Sequence, residues 1–207
     1  MKKENCLNRR MYDISKHAEF WEILLVSLGI CLVPVFIPTL LTAIFGEVSS
    51  ISSNSQFIVG TIVNTSLIIT GINVKGIKKV IGLVTLPSIS NMLSGLIFQS
   101  TSIFLVYMIP AIWVGNFILI YIYKKLYIEK QKNYVVSSII GIILKVAAIF
   151  GGFNLLVILD IIPKSSPVAT VLFSAMGINQ LITAMFGSIA AFAILKIIYS
   201  KQKNKGQ

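Results

Sequence analysis

The chain has 207 residues, of which 56% are hydrophobic and only 12% charged, with a formal net charge of +11. That balance belongs to an all-α, polytopic protein of the cell membrane, one domain in size, and excludes an ordinary soluble enzyme. The basic residues occupy the joints between apolar runs, which fits anionic lipid headgroups and topology control and excludes nucleic acid as the partner.

The first 22 residues carry five basic and four acidic side chains, too mixed for the start of a signal peptide, so the first apolar run is expected to be a retained anchor. Residues 11–22 read as a short interfacial helix with Phe20 and Trp21 at headgroup level. Six apolar runs follow, at about 23–45, 57–74, 80–98, 103–127, 134–159 and 168–199. Most reach the ~20 residues needed to span a bilayer. The second is the shortest and the most polar, with Asn64, Thr65, Ser66, Thr70 and Asn73. Pro34 and Pro38 remove two backbone donors from the first run and are expected to kink or break its outer half. The serine-rich stretch 46–56 reads as a cover or connector, and the tail KQKNKGQ as a basic cytoplasmic end. The expected organisation is therefore a segment 1–22, a six-helix domain 23–199 and a tail 200–207.

Charge fixes the expected direction of each run. With the N-terminus inside, the inner segments hold Lys2, Lys3, Arg9, Arg10 and Lys16, then Lys75, Lys78 and Lys79, then Lys124, Lys125, Lys130 and Lys132, then Lys196, Lys201, Lys203 and Lys205. Those are 16 of the 18 basic residues, and the outer segments keep only Lys164. Six spans with both ends in the cytoplasm satisfy the positive-inside rule.

The remaining cation, Lys145, sits in the middle of the fifth run, YVVSSIIGIILKVAAIFGGFNLLVILD. At ~1.5 Å per residue it is roughly 17 Å along the helix, near the bilayer midplane. An ammonium there costs a few kcal/mol or more unless paired or hydrated, so it marks either a functional site or a fixed helix register. Counted the same way, Asn91 on the third run, Asn116 on the fourth, and Asn179 and Gln180 on the sixth share that level, whereas Asn64 counts nearer the outer surface. Trp113 shares a face with Asn116 and reads as an apolar wall for a ligand, or as a packing residue. The candidate substrate site is Lys145, Asn116, Asn91, Gln180, Asn179 and Trp113. In the sixth run Ala175, Asn179, Thr183, Gly187 and Ala191 form a small or polar stripe, for packing inside the bundle or for docking to another membrane protein.

Standard chemistry is missing. No phosphate-binding GxxxxGK[ST] loop, GxSxG or HExxH occurs, so no catalytic residues are assigned. The two cysteines, Cys6 and Cys31, and the single His17 suggest no metal site, and no cofactor is expected.

Six helices in about 200 residues, a basic inner face and no ATPase motif resemble the substrate-binding S components of energy-coupling factor (ECF) transporters. The resemblance implies capture of a vitamin or other trace nutrient, and partnership with a transmembrane coupling subunit and ATPase subunits. Where that family often has an alanine-xxx-alanine pattern in its first helix, this chain has Ser27 and Cys31. The segments ITGINVKGIKKVIGLVTLPSISNMLSG, YMIPAIWVGNF and MGINQLITAMFG resemble small membrane proteins that carry the name "iron hydrogenase". Two scattered cysteines do not ligate the clusters of such an enzyme. That resemblance implies at most a membrane anchor or accessory subunit of a redox complex. The leading expectation is a transporter's substrate-binding subunit, not an enzyme, that takes a small, anionic molecule because a buried ammonium seeks an anion.

Overall fold

The computed structural model describes residues 16–45, 50–74, 80–97 and 104–204, and among them every regular element is helical. The elements are α1 (Lys16–Phe45), α2 (Ser50–Asn73), α3 (Ile81–Ser94), α4 (Leu105–Ile122) with a π-helical continuation Tyr123–Glu129, α5 (Tyr134–Ile158), α6 (Pro167–Met176) and α7 (Ile178–Asn204). The basic loop 75–79, the loop residues 46–49 and 98–103 and both chain ends lie outside the described residues, as do the side chains of Phe20 and Trp21. The helical backbone at 16–22 is the first part of α1 rather than a separate interfacial helix.

Five stretches are long and apolar enough to cross a membrane: Leu25–Ile44, Ser55–Asn73, Leu105–Glu129, Tyr134–Ile158 and Pro167–Ile198. The third expected run is the exception, because α3 has only 14 residues. That is about 21 Å of helix, short of a ~30 Å hydrocarbon core. Gly95 ends it, with φ 65° and its N–H donating to the Asn91 carbonyl at 3.3 Å. A left-handed C-terminal residue of this kind is a position that glycine adopts without a Cβ penalty.

Of the two outcomes expected at Pro34 and Pro38, the break does not occur, since α1 is helical through both. Near the carbonyls that the prolines leave short of donors, side chains step in: Ser90 Oγ donates to the Cys31 carbonyl at 2.5 Å, and Thr39 Oγ1 donates to the Val35 carbonyl at 2.7 Å. The serine-rich connector is shorter than expected, since α2 already begins at Ser50. The last apolar run divides at Gly177, where φ −98° and ψ −97° interrupt the helix between α6 and α7. Ser166 starts α6, its hydroxyl accepting from the Ala169 N–H at 3.1 Å, with Pro167 in the first turn.

α2 is the packing centre, touching α1, α3, α4 and α7, while α5 joins α4, α6 and α7. α2 and α7 approach closely. A Cβ on Gly187 would meet Asn64 Cβ at 2.5 Å, and one on Gly60 would meet Thr183 Cγ2 at 2.8 Å. Ala175, Thr183, Gly187 and Ala191 of the small-residue stripe are all buried, so the stripe packs inside the bundle. Ser27 likewise faces α3, 3.5 Å from where a Gly82 Cβ would stand. At the end of α2, Lys124 Nζ donates to the Val74 carbonyl, placing a cation at a helix C-terminus.

Apolar side chains face outward and polar ones are buried. Leu25, Leu32, Phe36, Val114, Ile139, Ile143, Phe186 and Ile189 are exposed, while Asn64, Asn116, Ser138, Lys145, Thr183 and Ser188 are buried. Such an apolar exterior is compatible with a multi-pass membrane protein. At the end of the bundle where α4 meets its π-helical continuation and α5 begins, Tyr123 Oη donates to Ser138 Oγ (2.7 Å) and lies 2.9 Å from Ser188 Oγ, and Tyr134 Oη donates to the Ser188 carbonyl (2.7 Å). Tyr134 also packs against Tyr123, Tyr127 and Phe192. Hydroxyls and rings close that end.

The close approach of α2 and α7 sets an expectation for thermal unfolding in detergent. Gly187→Ala pushes against the base of Asn64, which has no flexible end to swing aside, and should destabilise by about 1–3 kcal/mol. Gly151→Ala, with nothing within 4 Å, should be neutral or add up to about 1 kcal/mol of helix propensity. Equal midpoints for the two variants would contradict the packing.

Candidate functional site

Lys145 stands in mid-α5 and is 2% exposed, so its ammonium is held by protein rather than by solvent. Its Nζ donates to Asn64 Oδ1 on α2. Asn64 Nδ2 in turn donates to Thr183 Oγ1 on α7 at 3.3 Å, and Thr183 Oγ1 to the Gln180 carbonyl at 3.3 Å. Each donor in this chain finds an acceptor, and the glycines opposite Asn64 and Thr183 let the two helices come near enough for it. Lys145 keeps two further N–H bonds with no partner among the described residues.

Those N–H bonds belong to a residue that lines a cavity of about 90 Å³. Pro34 of α1, Asn64 of α2, Asn91 of α3, Asn116 of α4 and Gln180 of α7 contribute to the same wall. Lining residues also include Gln56, Ile97 and Leu105, which are near helix ends. The cavity therefore extends from the bundle end where α1 gives way to α2 and α3 to α4, down to the level of Lys145. The opposite half is filled by Leu119, Ile120, Ile142 and Ala184 and by the tyrosine–serine cluster. No Asp or Glu lines the cavity among the described residues.

The structure thus brings four sequence-derived candidates, Lys145, Asn116, Asn91 and Gln180, onto one wall, and two elsewhere. Asn116 Nδ2 makes a long contact of 3.5 Å with the Val84 carbonyl. Asn91 Oδ1 is buried and has no hydrogen-bond partner among the described residues. Trp113 is not a wall of the cavity. Its indole N–H donates to Ser88 Oγ at 2.8 Å, which holds the ring against α3, and it is Ser88 that lines the space. Asn179 is also outside the lining. Its Nδ2 donates to Gln56 Oε1 at 2.9 Å, while Gln56 Nε2 donates to the Ala175 carbonyl at 3.4 Å. Gln56 thereby bridges the last turn of α6 and the first of α7 across the break at Gly177.

Sequence reasoning missed Asn64, which accepts from Lys145 Nζ, and Thr183, which accepts from Asn64. Asn64 counts as shallow only if its helix starts near residue 57. With α2 starting at Ser50 it lies in the middle of a 24-residue helix. Its presence in the most polar of the six runs was the available signal. Thr183 was visible only as a member of the packing stripe.

Compared with family models, with curated proteins and with solved structures, the chain matches none.

The Lys145–Asn64 pair makes a sharp prediction for stability. Asn64→Leu leaves the ammonium without its amide and should cost about 3 kcal/mol or more in a chemical or thermal melt. Lys145→Met removes the charge at similar volume but leaves the buried Asn64 Oδ1 without its donor, and should cost less, about 1–3 kcal/mol. The double variant should recover most of the loss. A stable Asn64→Leu protein would show that the pair contributes nothing.

Proposed function

We propose that this chain is the substrate-binding integral membrane subunit of a nutrient transporter, built like an ECF S component, and that it captures a small anionic molecule above Lys145. The observation that carries this reading is a cavity with one buried ammonium, several amide side chains and no carboxylate. A site of that composition offers N–H donors to an anion, and any bound anion replaces solvation that burial has removed. Its position within the bundle agrees with the habit of transporters to bind near the bilayer middle, and the helix break at Gly177 with their use of interrupted helices beside the site. Motive power would come from separate coupling and ATPase subunits, since the chain has no phosphate-binding loop.

In this reading all six helical runs span, α3 as a short helix sheltered by its neighbours, with both chain ends in the cytoplasm. The cavity then faces outward, because its helix-end residues Gln56, Ile97 and Leu105 belong to the bundle end that is poor in basic residues. The depth of Lys145 suits a floor, with the ligand entering from outside and stopping there. The size favours a ligand of few heavy atoms, as a cavity of ~150 Å³ is what benzene needs.

Binding and topology test the two halves of the proposal. Millimolar acetate or propionate, added to the purified full chain in detergent, should raise its melting midpoint, and Lys145→Met should abolish that rise while folding normally. No stabilisation by either acid, together with co-purification of a redox enzyme instead of ATPase subunits, would replace the transporter reading with that of an accessory anchor. In a chain with Cys6 and Cys31 changed to serine, Ser165→Cys should react with an impermeant thiol reagent from outside intact cells and Lys132→Cys only after lysis. The reverse pattern would invert the topology.

A further inference from the structure

Charge is scarce around the cavity. Among the described residues that line it, Lys145 alone ionises. Lys164, in the turn between α5 and α6, is exposed and is not a lining residue. Lys124 is committed to the Val74 carbonyl at the far end of α2, and Lys125 pairs with Glu129 at 2.9 Å. The wall hydroxyls are engaged within the protein. Ser88 accepts from Trp113 and donates to the Thr85 carbonyl, while Thr183 accepts from Asn64 and donates to the Gln180 carbonyl.

Next to the ammonium, two helices present apolar side chains. On α2, Asn64 accepts from Lys145, and Val63, Gly60 and Val59 line the cavity from there toward the start of the helix. At ~1.5 Å per residue they cover the first ~7.5 Å, and Gln56 comes only after ~12 Å. On α4, Ile112 stands four residues, ~6 Å, from Asn116 toward the same end of the bundle. A small molecule that begins at Lys145 therefore ends among valine and isoleucine.

We infer that the ligand is a small monocarboxylate with an aliphatic body, its one charge at Lys145 and its carbons against Val63, Val59 and Ile112. This rests on the anion-binding reading above and deepens it by setting the ligand's charge at one. A single ammonium offsets a single carboxylate. A second carboxylate would be buried with no cation to meet it, and uncharged amides such as Asn116 and Gln180 do not make up for an unpaired charge. Dicarboxylates and sulfate are disfavoured on that ground. An aliphatic body, by contrast, gains by leaving water for these walls.

Isobutyrate, oxalate and isobutyramide are the probes, since they share the number and branching of their heavy atoms and carry one, two and no negative charges. Titration of each into the full chain in detergent at neutral pH, followed by calorimetry or melting midpoint, should give isobutyrate a Kd about tenfold or more below that of either other probe. Oxalate binding as tightly as isobutyrate, or more tightly, overturns the inference and leaves the anion site standing. Isobutyramide binding as tightly as isobutyrate overturns the inference and the anion reading together. Binding of none of the three overturns the inference, and the anion reading with it where acetate and propionate also fail. The comparison uses the unmodified chain, so no variant has to fold.

Discussion

A charged amine buried among apolar helices has to be solvated by something, and the arrangement of α2, α5 and α7 follows from how this chain does it. Lys145 cannot reach water by itself at 2% exposure, so an amide from α2 accepts its proton-bearing nitrogen, and a hydroxyl from α7 supports that amide. Three helices are fixed in rotation and depth by one short chain of hydrogen bonds. The glycines at 60 and 187 are the counterpart in packing, because larger residues there would hold α2 and α7 too far apart for Asn64 to meet Thr183. Polar satisfaction and close packing are therefore one constraint, not two.

The same constraint divides the bundle into unlike halves. Below Lys145 the side chains are Leu119, Ile120, Ile142 and Ala184, ending in interlocked tyrosines and serines. Above it the short α3, the proline-bearing stretch of α1 and the break at Gly177 leave the helices less evenly matched, and the cavity occupies that mismatch. Gln56 ties the two sides of the break together, so the interruption is held rather than loose. Lys145 stands at the base of that space with spare N–H donors, and no acidic residue lines it among the described residues.

Much of this was legible in the chain itself. Hydropathy located six apolar runs, the last of which holds two helices, and the isolated lysine in residues 134–159 singled out a residue that lines the cavity. Depth counting brought Asn91 and Asn116 to the cavity because their helices begin close to where their apolar runs begin, and Gln180 because α6 begins where its run does. It failed for Asn64, since α2 extends through a serine-rich segment that hydropathy reads as loop. It could not show that Trp113 and Asn179 turn away, because depth says nothing of rotation, and each is captured by a polar neighbour, Ser88 or Gln56. The breaks at Gly95 and Gly177 were equally hidden, because an apolar run stays apolar across a change in backbone direction.

The central claim is that the Lys145 position forms the floor of a cavity reached from the outer side only. Its most direct test is the side-specific reactivity of Lys145→Cys, in a background with Cys6 and Cys31 changed to serine, toward a small impermeant anionic thiol reagent in oriented membrane vesicles. The account predicts modification from the outer face and none from the cytoplasmic face. Modification from the cytoplasmic face, or complete inertness from both, would contradict it.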